Sequence, residues 1–312
     1  MHEKQDVYRQ VTETIVQAVE QNAGTLQMPW HRGGELGGRP CNAHTKRLYS
    51  GVNVLTLWVT AAKRGYASEW WATYRQWQAL GAYVRRGEKG TPIVFYKKFE
   101  PESEEEPAET ERKKPRFFAR TSWVFNTVQV EGHSPPERKP RNLVEIIQEA
   151  DKLVASTGAD IRHGWLNACY NPLQDYISMP GKERFTGTAT STPTESYYAV
   201  LFHELTHWTG HKKRLNRSFE CPIPVQNYAM EELVAELGAA FLCADVGVTN
   251  SPRPDHAAYV ASWLQAMEND TRVIFTAARK ATEAADYIMK RERGPSTEQP
   301  EESRKSNDNI PF

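Results

Sequence analysis

The sequence predicts an α+β protein of two domains, on three observations. Its 312 residues are enough for two domains of ordinary size. Helix-like and strand-like hydrophobic patterns mix along the chain. A polar segment with three prolines, residues 132–140, has the composition of a stiff linker. We therefore place one domain at 1–132 and a second at 141–293, joined by a linker at 133–140 and followed by a disordered tail at 294–312.

The N-terminal domain is expected to combine helices with strands. The sequence favours helices over 6–22, 53–64 and 71–80, with an irregular glycine-rich segment after the first helix, and strands at 92–99, 116–124 and 126–130. In the second domain, a helix is expected to begin just after the linker, at Asn142. Residues 170–180 have the pattern of a strand or a hairpin.

Overall composition does not point to a class of partner. The net charge is zero and the pI is near 7.1. The four cysteines have no Cys-x-x-Cys spacing, which argues against a disulfide framework or a zinc ribbon and fits a reducing cytoplasm. The N-terminus has no signal-peptide core, and no apolar run approaches membrane-spanning length. We therefore expect a cytoplasmic protein that does not associate with membranes.

The average neutrality hides an uneven distribution of charge. Residues 1–99 hold fourteen Lys and Arg against seven Asp and Glu, a net charge of +7. Residues 100–111 hold seven glutamates, and this low-complexity segment is predicted to be a disordered loop between two strands. Residues 112–120, which follow this segment, carry five basic side chains. Apart from the loop, the N-terminal domain is therefore basic.

Aromatic residues interleave with this basic charge. Six of the nine tryptophans lie in the first domain. Single-stranded nucleic acid is held by such combinations, because bases stack on rings for roughly 1–3 kcal/mol each while Lys and Arg contact phosphates. Trp58 and Trp123 have apolar neighbours and are expected in the core; the alternative for the whole domain is a protein-interaction module. The residues expected to contact single-stranded DNA are Trp30, Arg47, Trp70, Trp71, Tyr74, Arg75, Arg85, Arg86 and Lys89.

The most informative motif is the pentapeptide His-Glu-Leu-Thr-His at 203–207. A helix is expected here independently, because Thr192 and Glu195 have the spacing of a capping box and Gly210 can end the helix. Two histidines four residues apart share one helix face, so both imidazoles can reach one metal ion. Glu204 is then placed to accept a proton from a metal-bound water. The alternative is an ordinary helix with two surface histidines.

A catalytic zinc site needs a third protein ligand and an open position for water. The segment 230–242 is strongly helical in pattern and carries Glu232 and Glu236 on one face. Carboxylates in such an apolar helix are costly to bury without a partner. We predict Glu232 as the third ligand and Glu236 as a residue that holds a ligand histidine by its other ring nitrogen. A solvated carboxylate stripe is the alternative, and His211 is a rival ligand that we place at the rim of the site.

Several segments together carry a resemblance to a known family. They are Met28-Pro29-Trp30, Tyr49 to Asn53, Gly87-Glu88-Lys89-Gly90, Phe125 to Gln129, Ala168 to Tyr170 and on through Asp175 to Pro180, the run His203 to His211, and the helix from Glu231 to Leu242. Across about residues 5–290 the chain resembles the ArdC antirestriction proteins of conjugative plasmids. This resemblance implies an N-terminal single-stranded DNA-binding domain and a C-terminal zincin-like metallopeptidase domain.

The family resemblance also implies a function and a set of site residues. It places the metal on His203, His207 and Glu232, with Glu204 as general base, as in a gluzincin-like zinc peptidase; Mn²⁺ or another divalent ion is an alternative to Zn²⁺. The family is associated with protecting incoming plasmid DNA from host restriction. A protein bound to the same DNA is the expected substrate. In zincin folds an edge strand above the metal can bind an extended peptide, and residues 170–180 are a candidate for it. The alternative function is a non-catalytic coat on single-stranded DNA whose metal is structural.

The C-terminus suggests one further partner. The chain ends Ile310-Pro311-Phe312. This ending is similar to the C-terminal tip of bacterial single-stranded DNA-binding proteins, which recruits other proteins. We expect the tail to dock on proteins that bind such tips, and an inert tail is the alternative.

Overall fold

The computed structural model describes residues 7–22, 28–32, 38–99, 116–135, 142–188, 190–217, 225–250 and 257–292. The predicted acidic loop, most of the predicted linker and the predicted tail lie outside these residues, so their predicted properties stay predictions. Within the described part of the chain, no helix has the length and apolar character needed to cross a membrane.

The N-terminal region is a four-stranded sheet with helices packed on it. The helices are α1 (Val7–Asn22), α2 (Val52–Arg64) and α3 (Tyr74–Ala79). The strands are β1 (Cys41–Asn42), β2 (Trp70–Thr73), β3 (Tyr83–Val84), β4 (Thr91–Phe99), β5 (Arg116–Asn126) and β6 (Val130–Glu131). The main sheet has the order β1-β2-β5-β4, and β3 pairs with β6. Strands β4 and β5, which flank the acidic segment, are antiparallel partners.

Two predicted elements of this region are wrong in part. The helix predicted over 71–80 begins later, because residues 70–73 form strand β2, whose residues 71–73 pair with β5, and Thr73 then caps α3 in a capping box with Gln76. The strand predicted at 126–130 is mostly a 3-10 turn, Thr127–Gln129, which Asn126 caps in the same way. In both places a local side-chain cap decides where the extended backbone ends.

The described residues of the C-terminal region form a small sheet, five α-helices and one short 3-10 helix, Lys182–Arg184. The elements are α4 (Leu143–Thr157), β7 (Asp160–His163), β8 (Cys169–Asn171), β9 (Tyr176–Met179), α5 (Pro193–Thr209), α6 (Val225–Val246), α7 (Ala257–Asn269) and α8 (Val273–Glu292). The sheet order is β7-β9-β8, with β8 antiparallel to β9 at its edge. The hairpin predicted at 170–180 is therefore confirmed. Helix α4 begins where predicted, after Asn142, which forms a capping box with Glu145.

The two regions share one hydrophobic core. Trp58 of α2 packs on Phe241 of α6, with ring centroids 5.7 Å apart. Arg39 binds Asp245 of α6 through two hydrogen bonds of 2.7 and 2.6 Å, with both side chains buried. The Gly51 amide donates to the hydroxyl of Thr282 in α8. Helix α6 is therefore packed between helix α5, which carries the His-Glu-Leu-Thr-His motif, and the N-terminal region, so its side chains contact both.

Candidate metal centre and nucleic-acid surface

Helix α5 carries the His-Glu-Leu-Thr-His motif in its last turns. The predicted helix start is confirmed: the Thr192 hydroxyl accepts from the Glu195 amide, the Glu195 carboxylate accepts from the Thr192 amide, and Pro193 occupies the first turn. Gly210 caps the other end, as predicted. All five residues of the motif are buried, which contradicts the alternative of two surface histidines.

The structure brings three potential ligands together. His203 Nε2 lies 3.1 Å from His207 Nε2 and 3.4 Å from a Glu232 carboxylate oxygen, and His207 Nε2 lies 3.4 Å from the other oxygen of Glu232. Each of these side chains offers one ligand atom to a group whose atoms all lie within 4.8 Å of one another. In a tetrahedral site with bonds of about 2.0–2.1 Å, ligand atoms are roughly 3.3 Å apart. Two imidazoles and one carboxylate with this spacing fit a divalent metal.

A glycine allows the two helices that carry these ligands to pack closely. A Cβ on Gly238 of α6 would lie 2.5 Å from Cγ2 and 2.7 Å from Oγ1 of Thr206 in α5. These distances are shorter than van der Waals contact, so α6 reaches this position only without a side chain there. Gly238 lies six residues after Glu232 on the same helix. The close crossing thereby helps to set the distance between Glu232 and the two histidines.

The ion pair between Arg217 and Glu231, which lies behind His207, was not predicted from the sequence. His207 Nδ1 lies 3.3 Å from Glu231, which accepts a 2.8 Å hydrogen bond from Arg217. Arg217 also donates to the Thr209 hydroxyl at 2.8 Å. Burial alone would lower the pKa of His207, but its hydrogen bonds to Glu231 and Glu232 outweigh burial and raise the pKa to about 10. Glu231 thus orients the ring of His207 from the side opposite to its ligand nitrogen.

Glu236 lies close to the other histidine, and it also contacts two residues of the N-terminal region. Its Oε2 is 3.7 Å from His203 Nδ1, longer than the hydrogen bond that the sequence prediction proposed. Its Oε1 is 2.6 Å from His31 Nε2 and accepts a 3.2 Å hydrogen bond from the Trp30 indole. Glu236 therefore lies beside His203, but the predicted direct hydrogen bond between them is wrong, and its role behind a metal ligand stays a prediction.

Glu204 faces the edge strand of the small sheet. Its Oε2 accepts a 2.8 Å hydrogen bond from the backbone amide of Tyr170 in β8. Tyr170 pairs with Ile177 of β9 across an antiparallel ladder, so an amide that reaches Glu204 points away from β9. Within the described three-stranded sheet, the outer edge of β8 and the carboxylate of Glu204 therefore lie side by side.

Two further side chains lie near the cluster. His211, the rival ligand, is outside the three-residue group among the described residues; its Nδ1 is 3.7 Å from Asp175, which pairs with Arg214. Tyr228, which the sequence did not single out, lies one helical turn before Glu232, with 40% of its surface exposed and its ring centroid 5.8 Å from that of Tyr259. A half-exposed phenol beside the carboxylate ligand can donate a hydrogen bond to a bound substrate.

The predicted DNA-binding residues separate into buried and accessible groups. Trp30 and Trp71 are each only 1% exposed, so their assignment as stacking residues is wrong. Trp30 is buried because the 3-10 turn Pro29–Arg32 packs against α2 and α6, and Trp71 because it faces inward from β2. Trp70 is partly exposed, with the Lys46 ammonium 4.7 Å from its ring centroid. The remaining predicted residues are exposed: Arg47, Tyr74, Arg75, Arg85, Arg86 and Lys89.

The prediction that Trp123 lies in the core is also wrong. Trp123 is 54% exposed, because its neighbour Val124 takes the buried face of β5 and alternation turns Trp123 outward. A Cβ on Gly90 would lie 3.2 Å from the Cβ of Trp123, so the Trp123 side chain begins next to the turn formed by residues 85–90, the basic turn. Within the basic turn, Arg85 is paired with Glu88 at 2.7 Å. Among the described residues, Arg86 and Lys89 are then the exposed cations of this turn that are not in an ion pair.

Comparisons with known proteins agree with this architecture. Residues 148–280 match the model of a zincin-like metallopeptidase family, and residues 5–125 match the N-terminal domain of the anti-restriction factor ArdC. The protein is thus of the class that joins an ArdC N-terminal domain to a zincin-like domain, and the predicted α+β fold class is confirmed.

Individual relatives identify the family. The metal-free crystal structure of the antirestriction protein ArdC from plasmid R388 has a TM-score of 0.74 and 38% identity, and the match covers 92% of this chain and 98% of that one. The Mn(II)-bound structure of the same protein has a TM-score of 0.74 and 37% identity, and the match covers 93% of this chain and 100% of that one. An uncharacterized protein of Sinorhizobium fredii, y4eC, is 43% identical over 91% of both chains. The chain also matches an Escherichia coli DNA primase, TraC, at 35% identity, but spans only 27% of it. The chain belongs to the ArdC-type antirestriction family.

Proposed function

We propose that this protein binds single-stranded DNA in the cytoplasm and carries a zinc-dependent peptidase site, and that it protects incoming plasmid DNA from host restriction. The observation that carries the catalytic half is the convergence of His203, His207 and Glu232, with Glu204 beside the outer strand β8 of the described sheet. A zinc ion held by these three ligands would polarise a bound water and lower its pKa. The Mn(II)-bound structure of the R388 relative leaves Mn²⁺ as the alternative ion.

The residues of this chain then have separate tasks in peptide hydrolysis. Glu204 accepts the proton of the attacking water on its carboxylate and delivers it to the leaving amine. An extended peptide could add to the outer edge of β8 as a further strand, which would replace the contact between the Tyr170 amide and Glu204. The phenol of Tyr228 is placed to donate a hydrogen bond to the carbonyl oxygen as it gains charge. The proposed substrate is a protein bound to the same DNA.

The DNA-binding half rests on the accessible rings and cations of the N-terminal region. Trp123 joins Trp70 and Tyr74 as a stacking residue, while Trp30 and Trp71 leave the proposed set. Arg47, Arg75, Arg86 and Lys89 are proposed to contact phosphates, with Arg85 holding the basic turn together. The docking of Ile310-Pro311-Phe312 on other DNA-maintenance proteins remains a separate prediction.

A second function is supported by the separation of the two sites. The accessible rings and cations lie on the N-terminal sheet and the basic turn, apart from the buried cluster on α5 and α6. A protein that only coats DNA and blocks nucleases would need the exposed rings and cations, and its metal would serve as a structural element. The two functions differ in whether Glu204 is required.

A restriction challenge of incoming plasmid DNA with Glu204→Gln distinguishes them. The amide cannot take a proton from water, so we expect peptide cleavage and any protection that depends on it to be lost while metal and DNA binding persist. Metal content and single-stranded DNA affinity of the purified variant serve as controls. Protection equal to wild type in a metal-loaded Glu204→Gln variant would favour the DNA-coating function instead.

A further inference from the structure

A short N-terminal segment reaches the back of the metal cluster. The 3-10 turn Pro29–Arg32 belongs to the N-terminal region, yet its Trp30 and His31 are buried against Glu236 of α6, more than 200 residues later in the chain. The side chains of His31 and Glu236 are 0% and 3% exposed. This contact is therefore part of the interior that joins the two regions.

The hydrogen bonds of His31 define its protonated nitrogen. The Met28 amide donates to His31 Nδ1 at 3.0 Å, so that nitrogen is an acceptor. In the neutral ring the proton is then on Nε2, which donates to Glu236 Oε1 at 2.6 Å. The Trp30 indole donates to the same oxygen at 3.2 Å. Two donors from one short segment thus fix the position of the Glu236 carboxylate.

The other oxygen of the same carboxylate faces a metal-ligand candidate. Glu236 Oε2 lies 3.7 Å from His203 Nδ1, on the side of the ring opposite to the nitrogen that points at His207 and Glu232. A carboxylate behind a ligand histidine orients the ring and makes it a better ligand. For His207 this role falls to Glu231, which is held by Arg217. For His203 the corresponding carboxylate is Glu236, held by His31 and Trp30, and its 3.7 Å separation from His203 Nδ1 is an electrostatic contact rather than a hydrogen bond.

We propose that the segment Met28–Arg32 is a functional part of the metal centre: His31 and Trp30 position Glu236, and Glu236 orients His203. The inference rests on the proposed metal site. His31 and Trp30 are positioning residues, because they act through Glu236. A consequence is that the N-terminal region contributes to metal affinity as well as to DNA binding.

The test is metal affinity of the full-length chain, measured for Zn²⁺ and Mn²⁺ by competition with a chromophoric chelator. His31→Phe removes the donor to Glu236 and should weaken binding by about 10-fold or more, since losing such supporting partners typically costs about 10–100-fold. His31→Gln keeps an amide donor near the position of Nε2 and should recover most of that loss. Equal affinities for His31→Phe and wild type, or equal losses in the Phe and Gln variants, would overturn the proposal.

Helix α6 offers a matched control. Asp245→Asn and Glu236→Gln make the same isosteric change on one helix, and both residues contact the N-terminal region, but Asp245 pairs with Arg39 rather than with a ligand histidine. Glu236→Gln should weaken metal binding while Asp245→Asn leaves it unchanged. If both variants lost the same metal affinity, the loss would reflect a general weakening of the packing around α6, and the role of Glu236 would be rejected. This pair also decides the question if His31→Phe does not fold.

The readout also separates this inference from the proposed peptidase function. Metal affinity is measurable whether or not any protein is cleaved. If wild type binds metal and the His31 and Glu236 variants bind it equally well, only the positioning role fails. If wild type itself binds neither ion, the proposed metal site fails with it.

Discussion

The metal cluster and the DNA-binding surface differ in how they are built. The cluster is buried, and its side chains are held by the packing of α5 on α6 and by partners behind each histidine. The proposed DNA-binding surface consists of exposed rings and cations, such as Trp123 and Lys89, at the edge of the N-terminal sheet and in the basic turn. Geometry in the cluster depends on many residues at once, whereas each exposed side chain acts nearly alone. Substitutions in the cluster should therefore have large, coupled effects, and those on the surface small, additive ones.

The largest effect is expected from removing one of the clustered imidazoles. His203→Ala deletes a ligand atom that lies 3.1–3.4 Å from its two partners. Metal affinity should fall by more than roughly 100-fold, since loss of a supporting partner alone costs about 10–100-fold. Single-stranded DNA affinity, measured by fluorescence anisotropy, should change little. A variant that kept its metal would show that the three side chains do not form the site.

The residues of the metal cluster were predictable from the sequence, whereas the contacts that support them were not. The metal motif is local: the capping box at Thr192, the four-residue spacing of the histidines and the helical pattern around Glu232 are all short-range signals. The contacts that support the cluster are long-range. Nothing in the spacing of Arg217 and Glu231, or of His31 and Glu236, indicates that each pair meets, because only the folded packing of α6 brings them together.

The surface was harder to predict for a different reason. The sequence neighbours of a tryptophan are similar whether its ring is in a core or on a half-exposed sheet. Composition alone therefore did not show that Trp30 and Trp71 are buried and that Trp123 is exposed. Burial depended on which face of the strand each ring takes and on whether another segment covers it. The family resemblance supplied the domain order, and it could not supply the exposure of individual rings.

The next largest effect is expected at the crossing of the two helices. Gly238→Ala adds a Cβ 2.5 Å from Thr206, so α5 and α6 must separate slightly. Helix propensity favours Ala over Gly by about 1 kcal/mol, whereas overpacking costs about 1–3 kcal/mol, so we expect a net loss of stability of about 1 kcal/mol. Chemical denaturation measures this loss, and metal affinity should fall with it.

A double-mutant cycle isolates that contact. Thr206→Ala removes both side-chain atoms nearest to the added Cβ, so the cost of Gly238→Ala should be smaller in the Thr206→Ala background. If the two substitutions were strictly additive, the short distance between these residues would not be what limits the helix crossing.

A smaller effect is expected on the proposed DNA-binding surface. Trp123→Ala removes a ring that is 54% exposed beside the basic turn. Loss of one stacked base should weaken single-stranded DNA binding by roughly 1–3 kcal/mol and leave metal affinity unchanged. Trp165→Ala is the matched control, because Trp165 is 49% exposed but lies before β8 in the C-terminal region. Similar losses in both variants would contradict a localised stacking site.

The smallest effect is expected from one exposed cation. Lys89→Gln removes a single charge from the basic turn, and its backbone carbonyl can still accept from Arg64 at 2.7 Å, so the turn should keep its shape. If Lys89 contacts one phosphate, the slope of log affinity against log salt should become shallower by about 0.7, the value for one contact on a single strand. Lys182→Gln, an exposed cation of the C-terminal region, should leave that slope unchanged. A slope that is the same for Lys89→Gln and wild type would remove Lys89 from the surface, and with it the argument that the basic turn follows the DNA backbone.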